Sequence, residues 1–162
     1  MRYIPGIHGL QPRRRKTLAR RAYLSILIPA HRKTLTRLFL SSHVLAVEVW
    51  RWSERYRPRI PCEWRLCRFC KIAVEDEIHA LLRCTISPGL AELRGLFLAD
   101  TYAACPLFVD TWDRLDYEDR LACLLKLPIL DSRLAQYVHL VLELFRAALV
   151  YVPPLSLWYT PL

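Results

Sequence analysis

Glycine is scarce in this chain, with only four among 162 residues. A glycine-rich phosphate loop and a G-x-S-x-G nucleophile motif are both absent, which argues against nucleotide hydrolysis and serine-hydrolase chemistry. The sequence also lacks H-E-x-x-H, and no histidine is followed two positions later by the glutamate that zinc deaminases use to transfer protons. Neither a Y-x-D-D polymerase motif nor a spaced carboxylate set typical of RNase H is present. These absences predict that the chain is not itself an enzyme.

Acidic residues are scarce in the first part of the chain. Residues 1–71 hold 17 Lys and Arg against 3 Asp and Glu, whereas residues 72–162 hold 7 against 12. The net charges of the two parts are therefore +14 and −5, which together give the overall +9. Such asymmetry favours a basic face for a polyanion, with an acidic remainder that faces solvent or a partner. Arginine predominates over lysine in the basic part, and its planar guanidinium suits phosphate.

Three of the six cysteines and one of the five histidines lie within residues 66–84, LCRFCKIAVEDEIHALLRC. Their spacing is C-x2-C-x8-H-x4-C. Structural zinc takes four nitrogen or sulfur ligands at tetrahedral corners, and a C-x2-C turn brings two sulfurs to one ion. The pattern predicts a structural Zn²⁺ site without an open catalytic position, formed by Cys67, Cys70, His79 and Cys84. In the alternative interpretation Cys67 and Cys70 are small buried hydrophobic residues and His79 is a polar helix residue.

The spacing between His79 and Cys84 constrains the local backbone. Five positions along an α-helix turn through about 500°, which would leave the two side chains about 140° apart around the axis. The helix must therefore end or open between them. Acidic residues at 75–77 suit the positive end of a helix. We predict a short helix that begins in this acidic run, frays near Arg83 and leaves Cys84 on the exit turn.

Residues 59–84, RIPCEWRLCRFCKIAVEDEIHALLRC, resemble a known zinc-binding segment. The segment lies C-terminal to the reverse transcriptase and RNase H domains of LINE-like, non-LTR retrotransposons, particularly fungal ones. The shared features are the C-x2-C, an acidic pair, a histidine inside an apolar run and a closing cysteine. The likeness extends upstream through residues 31–49 and more faintly downstream through residues 137–145.

The resemblance implies a ligand set and a function. The family's zinc ligands carry over without substitution onto Cys67, Cys70, His79 and Cys84. In such elements the segment is thought to help hold template RNA or target DNA, so RNA or DNA is the implied partner. The upstream polymerase domains of a parent polyprotein are a second implied partner, and any catalysis would belong to that larger reverse transcriptase polyprotein. Cys62 departs from the family pattern, which has a basic residue after Ile-Pro, and is expected to be a bystander thiol.

Two stretches have the composition of a nucleic-acid contact. Aromatic and arginine residues alternate in WRWSERYRPRIP, residues 50–61, and arginine forks with stacking aromatic planes are used by single-strand binders. PRRRKTLARR, residues 12–21, is a basic block typical of a nuclear-import signal or a nucleic-acid patch. The predicted nucleic-acid-binding residues are Arg13, Arg14, Arg15, Arg51, Arg55, Arg57, Arg59, Arg65 and Arg68. A solvated loop and a solvated leader are the respective alternatives.

The length suits one domain. Few glycines and long Leu, Ala and Arg runs favour helix, and eleven prolines divide those runs into short pieces. We predict an all-α fold, a small irregular helical domain organised around a Cys3His zinc hairpin. Residues 1–30 are predicted to be a basic flexible arm and residues 31–152 the helical domain. The zinc hairpin spans residues 62–88, and residues 153–162 form a proline-rich tail.

Apolar periodicity and helix signals predict five further helices, over residues 31–40, 42–52, 90–98, 117–127 and 133–151. Asp116 is the expected N-cap of the fourth, and Pro128 its end. The last is apolar enough to raise the question of a membrane span. A polar stripe along it favours a helix packed within a soluble fold, so we expect no membrane. Cys105 and Cys123 have no metal-like spacing and are predicted to be core or loop thiols.

Two other functional interpretations stay open. The zinc hairpin could only staple helices that dock onto a polymerase domain or another subunit. In that case an exposed apolar groove and no contiguous basic face are expected. The chain could also be a non-functional fragment of a mobile element. The cysteine spacing favours metal over disulfides and therefore an intracellular location, and the basic block favours the nucleus.

Overall fold

A computed structural model describes residues 22–52 and 58–158. This described part is helical and has no β-strand; an isolated antiparallel bridge joins Leu66 to Val74. The predicted all-α class is therefore confirmed. Its α-helices are α1 (Pro29–Phe39), α2 (Ala46–Trp52), α3 (Pro88–Ala104), α4 (Leu107–Trp112), α5 (Tyr117–Lys126), α6 (Asp131–Ala147) and α7 (Leu155–Trp158). A π-helical turn, His79–Arg83, precedes α3, and 3-10 turns lie at Ala22–Ser25, Cys62–Trp64 and Pro128–Leu130.

Helix α6 lies at the centre of the core. Its buried residues recur at three- and four-residue spacing, which gives the helix a continuous apolar face; they are Leu134, Ala135, Tyr137, Val138, Val141, Leu142 and Phe145. Helices α1 and α3 both pack against α6. The rings of Phe97 in α3 and Tyr137 in α6 stack with centroids 4.3 Å apart. Among the described helices, none combines the length and the apolar character that a membrane span requires.

Two predicted helices agree closely with the structure, and their end signals explain why. Helix α5 covers Tyr117–Lys126, and the carboxylate of Asp116 accepts a hydrogen bond from the Asp119 amide at 2.8 Å. This is the N-cap geometry expected from sequence. Helix α1 begins two residues earlier than predicted, with Pro29 in its first turn, where a missing N–H has no consequence.

The other helix ends differ from the prediction. Helix α3 starts at Pro88 and continues to Ala104, well beyond residue 98, and α4 was not predicted. Helix α2 starts at Ala46 rather than at residue 42. The reason is long-range, because the Ala46 amide donates to the carboxylate of Glu75 at 2.7 Å, and such a contact has no local signature.

The folded region extends beyond the predicted domain boundaries. Ile26, within the predicted arm, is buried in the main core, and the side chain of Arg32 donates to its carbonyl at 3.1 Å. At the other end Pro153 is buried and α7 forms within the predicted tail. Residues 1–21, which hold the basic block, lie outside the described residues.

Candidate metal centre

A tight turn presents the first two cysteines. The bridge between Leu66 and Val74 closes it, and Cys67 N–H donates to the Ala73 carbonyl at 2.8 Å. The Lys71 amide donates a hydrogen bond to the Cys67 carbonyl at 2.8 Å, and Lys71 itself adopts φ 56°, in the left-handed region. The chain therefore folds back over four residues, which places Cys67 and Cys70 on one side of the turn.

The π-helical turn presents the other two ligands. Its i to i+5 hydrogen bond joins Cys84 N–H to the His79 carbonyl at 2.8 Å, and the wider turn brings these residues nearer to one side than an α-helix would. The Asp76 carboxylate accepts from the His79 amide at 2.7 Å and so caps the helical residues that begin at Glu77 and lead into the π-helical turn. Cys84 is the first residue with extended backbone after the turn. The prediction that the helix opens or ends between the two ligands is confirmed.

Neighbouring helices hold the far end of the π-helical turn. Arg94 of α3 donates to the carbonyls of Leu81 and Cys84, each at 2.9 Å. The hydroxyl of Tyr137 in α6 donates to the Leu81 carbonyl as well. Carbonyls that the helix end leaves without internal partners are thus satisfied from outside, and the position of Cys84 is tied to the core.

The four predicted ligands converge. Their ligand atoms all lie within 4.8 Å of one another. The sulfurs of Cys67 and Cys84 are 3.9 Å apart, and Cys70 Sγ is 3.3 Å from His79 Nε2. Zinc bonds of about 2.3 Å to sulfur and about 2.0 Å to nitrogen, at tetrahedral angles, require S–S separations of about 3.8 Å and S–N separations of about 3.5 Å. The cluster could therefore hold a four-coordinate metal ion.

Burial shapes the acid–base state of these groups. Burial raises the pKa of the Cys67 thiol to about 12. Burial opposes ionisation of Cys70 too, but backbone hydrogen bonds from Ala73 and Ile72, together with side-chain hydrogen bonds from Cys67 and Cys84, outweigh it and lower the pKa of that thiol. Burial also lowers the pKa of His79, which favours the neutral imidazole that binds metals. A metal at this site would displace the Cys67 proton, as thiolate coordination requires.

The remaining cysteines stay outside the cluster. Cys62 is exposed, as expected of a bystander thiol, and it is absent from the ligand group that the described residues form. Cys105 and Cys123 are half-buried and line one apolar groove together with Leu107, Phe108, Leu115 and Leu127. All four corners of the candidate site are thus filled by residues of the predicted hairpin.

The nucleic-acid-binding prediction is wrong for two of the arginines, because their side chains are buried. Arg65 donates to the carbonyls of Val47 at 2.7 Å and Ile60 at 3.1 Å. Arg68 is paired with Glu75, whose carboxylate is fully buried. Neither guanidinium is available to a phosphate. For Arg68, the sequence signal that could have indicated burial is its position inside the C-x2-C turn, because that turn packs on the core.

The other predicted arginines fall into two groups. Arg51 and Arg59 are exposed, and the Arg51 guanidinium carbon lies 5.1 Å from the ring centre of Trp52, which is 71% exposed. Arg51 also pairs with Glu48 at 2.9 Å. The others lie outside the described residues; they are Arg13, Arg14, Arg15, Arg55 and Arg57.

No family model matches the chain, and the comparisons with curated proteins and with solved structures found no match. The fold and the site define a class, namely a small all-α domain with a Cys3His group that could bind a metal ion. The resemblance to the retrotransposon segment rests on the sequence pattern alone.

Proposed function

We propose that the chain is a non-catalytic zinc-binding module. The convergence of three thiols and one imidazole within 4.8 Å supports this most directly. Soft thiolate and imidazole ligands in a tetrahedral set are typical of structural zinc. Because the protein supplies all four ligands, no position is left for a substrate or a reactive water. The residues that would hold the ion are Cys67, Cys70, His79 and Cys84.

Purified protein is expected to contain one zinc ion per chain, measured by elemental analysis. Cys84→Ser is expected to reduce or abolish the zinc content, because it replaces a thiolate by a hydroxyl that binds zinc poorly. Cys62→Ser is the matched control, since Cys62 is exposed and lies outside the cluster. A folded wild-type protein that takes up no zinc, even when zinc is supplied, would contradict the proposal.

We further propose that the module binds single-stranded RNA or DNA, as the tail of a retrotransposon polyprotein would. Support comes from the excess of basic residues before residue 72, which gives that part a net charge of +14 within an overall +9. It also comes from the end of α2, where Trp52 exposes most of its surface beside the Arg51 guanidinium. An exposed aromatic ring next to cations is the arrangement that stacks a base and binds its phosphate.

Affinity for a single-stranded oligonucleotide is expected to fall steeply with salt, because bound cations release counterions. Trp52→Ala is expected to weaken binding by about 1–3 kcal/mol if one base stacks on the indole. Fluorescence anisotropy with RNA and DNA of the same sequence, at several salt concentrations, measures both effects. Arg114→Ala, which removes an exposed arginine from the acidic part of the chain, is the control and should change affinity little. A flat salt response would exclude this function.

An observation also favours the alternative, a zinc-stapled protein-interaction module. That interpretation predicts an exposed apolar groove, and a groove of about 430 Å³ lies between α4 and α5, lined by Cys105, Phe108, Leu115, Cys123 and Leu127. If the oligonucleotide binds only weakly and its affinity does not change with salt, this alternative is the better account. The same assay therefore separates the two functions.

A further inference from the structure

A buried ion pair lies beside the candidate metal centre. Arg68, which stands between the first two cysteines, pairs with Glu75 at 2.6 Å. The side chain of Glu75 is fully buried, and that of Arg68 is 2% exposed. Removing two charges from water is costly unless each is surrounded by well-placed partners. Such a pair therefore needs a structural reason, and its hydrogen bonds supply one.

Glu75 holds the backbone of the cysteine turn. Its Oε2 accepts from the main-chain N–H of Arg68 at 2.7 Å, and this is the peptide that directly follows Cys67. Its Oε1 accepts from Ala46 N–H, the first residue of α2, at 2.7 Å. One carboxylate thus joins the turn to the start of a helix that is distant in sequence.

Arg68 holds the same turn from the other side. Its guanidinium donates to the carbonyls of Phe145 and Ala148 at the end of α6, and to the Val44 carbonyl at 2.8 Å. The last carbonyls of a helix have no internal partners, so the contact satisfies α6 as well. Together the pair anchors the turn to segments that lie outside the zinc hairpin.

We infer that Arg68 and Glu75 are positioning residues of the metal centre, which hold the Cys67–Cys70 turn in its ligating geometry before any metal is bound. This inference rests on the proposed zinc site. The metal would then complete a site whose first half is set by core contacts. Groups that orient metal ligands commonly change metal affinity by about 10- to 100-fold when they are altered.

The test uses the full chain and four variants: Arg68→Met, Glu75→Gln, the double variant, and Glu92→Gln as an exposed control. Each single variant leaves a buried charge or polar group without its partner and is expected to unfold more easily. The double variant leaves no unpaired buried charge and is therefore expected to stay folded, although it should be less stable than the wild type because the Phe145, Ala148 and Val44 carbonyls lose their donor. Its zinc affinity, measured by competition with a chromophoric chelator, should nevertheless fall by about 10- to 100-fold. The visible spectrum of bound Co²⁺, which reports ligand geometry, should change with it, while Glu92→Gln should match the wild type.

A second measurement needs no variant. In metal-free wild-type protein, the Arg68 and Ala46 amides are expected to be protected from hydrogen exchange, because their acceptor is the buried Glu75 carboxylate. Free exchange of both amides, or a folded double variant with wild-type zinc affinity, would overturn the inference. Failure of the wild-type chain to bind zinc at all would instead overturn the proposed zinc site, and the exchange measurement would still show whether the turn is preformed.

Discussion

Removal of zinc is expected to lower the free energy of unfolding by more than the truncation of any one core side chain. A ligand that binds only the folded state stabilises it by about 4.1 kcal/mol when its free concentration is 1,000 times the dissociation constant. Structural zinc in small fingers contributes an apparent 10 to 16 kcal/mol, roughly, at neutral pH. Domains of this size are stable by only about 5 to 15 kcal/mol, so loss of the ion should remove a large share of the stability. The metal-free chain keeps the helical core that small fingers lack and should stay folded, with the Cys67–Cys70 turn still held by its core contacts.

The effect is measured as the urea midpoint of zinc-loaded protein, of protein stripped by a chelator, and of stripped protein given zinc again. The midpoint should fall on stripping and recover on reloading. The change is expected to centre on the π-helical turn, because Cys70 and His79 then lose the ion that joins them. Cys62→Ser should behave as the wild type, as its thiol is exposed. Equal midpoints for loaded and stripped protein would contradict a structural role for the metal.

Phe145→Ala is expected to cost about 3–5 kcal/mol of folding free energy, the range for large-to-small changes at buried aromatic positions. Phe145 is 0% exposed. The rings of Phe145 and Phe69 pack edge to face with their centroids 4.9 Å apart, and the Arg68 guanidinium carbon lies 5.3 Å from the centre of the Phe145 ring. Both contacts belong to the turn that carries Cys67 and Cys70. The cavity would therefore loosen the support of the metal centre as well as the core.

Denaturant unfolding of zinc-saturated protein measures this loss. The matched control is Phe39→Ala, the same substitution at a ring that is 37% exposed and packs on Tyr23 at the edge of the fold. Its cost should be clearly smaller, because less apolar surface returns to water. Similar losses for the two variants would mean that Phe145 does not support the core in the way its contacts indicate.

Arginines from one basic part of the chain are exposed at the end of α2 and buried near the metal centre. Trp52 and Arg51 are exposed, as a nucleic-acid contact requires. Arg65 and Arg68 belong to the same basic part of the chain, yet they donate to carbonyls of α2, of α6 and of the connecting segments. An arginine that satisfies buried carbonyls and one that faces solvent look alike in sequence, because their partners are distant along the chain.

The sequence by itself determined the features that depend on neighbouring residues. The ligand spacing and the angular offset of His79 and Cys84 required a helix that opens or ends, and the structure supplies a π-helical turn. Asp116 marked the start of α5 because its own side chain caps the helix. Only the tertiary structure decided where α2 begins, where α6 ends and which arginines face inward. Those outcomes depend on the buried Arg68–Glu75 pair and the carbonyls around it, which meet only when segments far apart in the chain pack together.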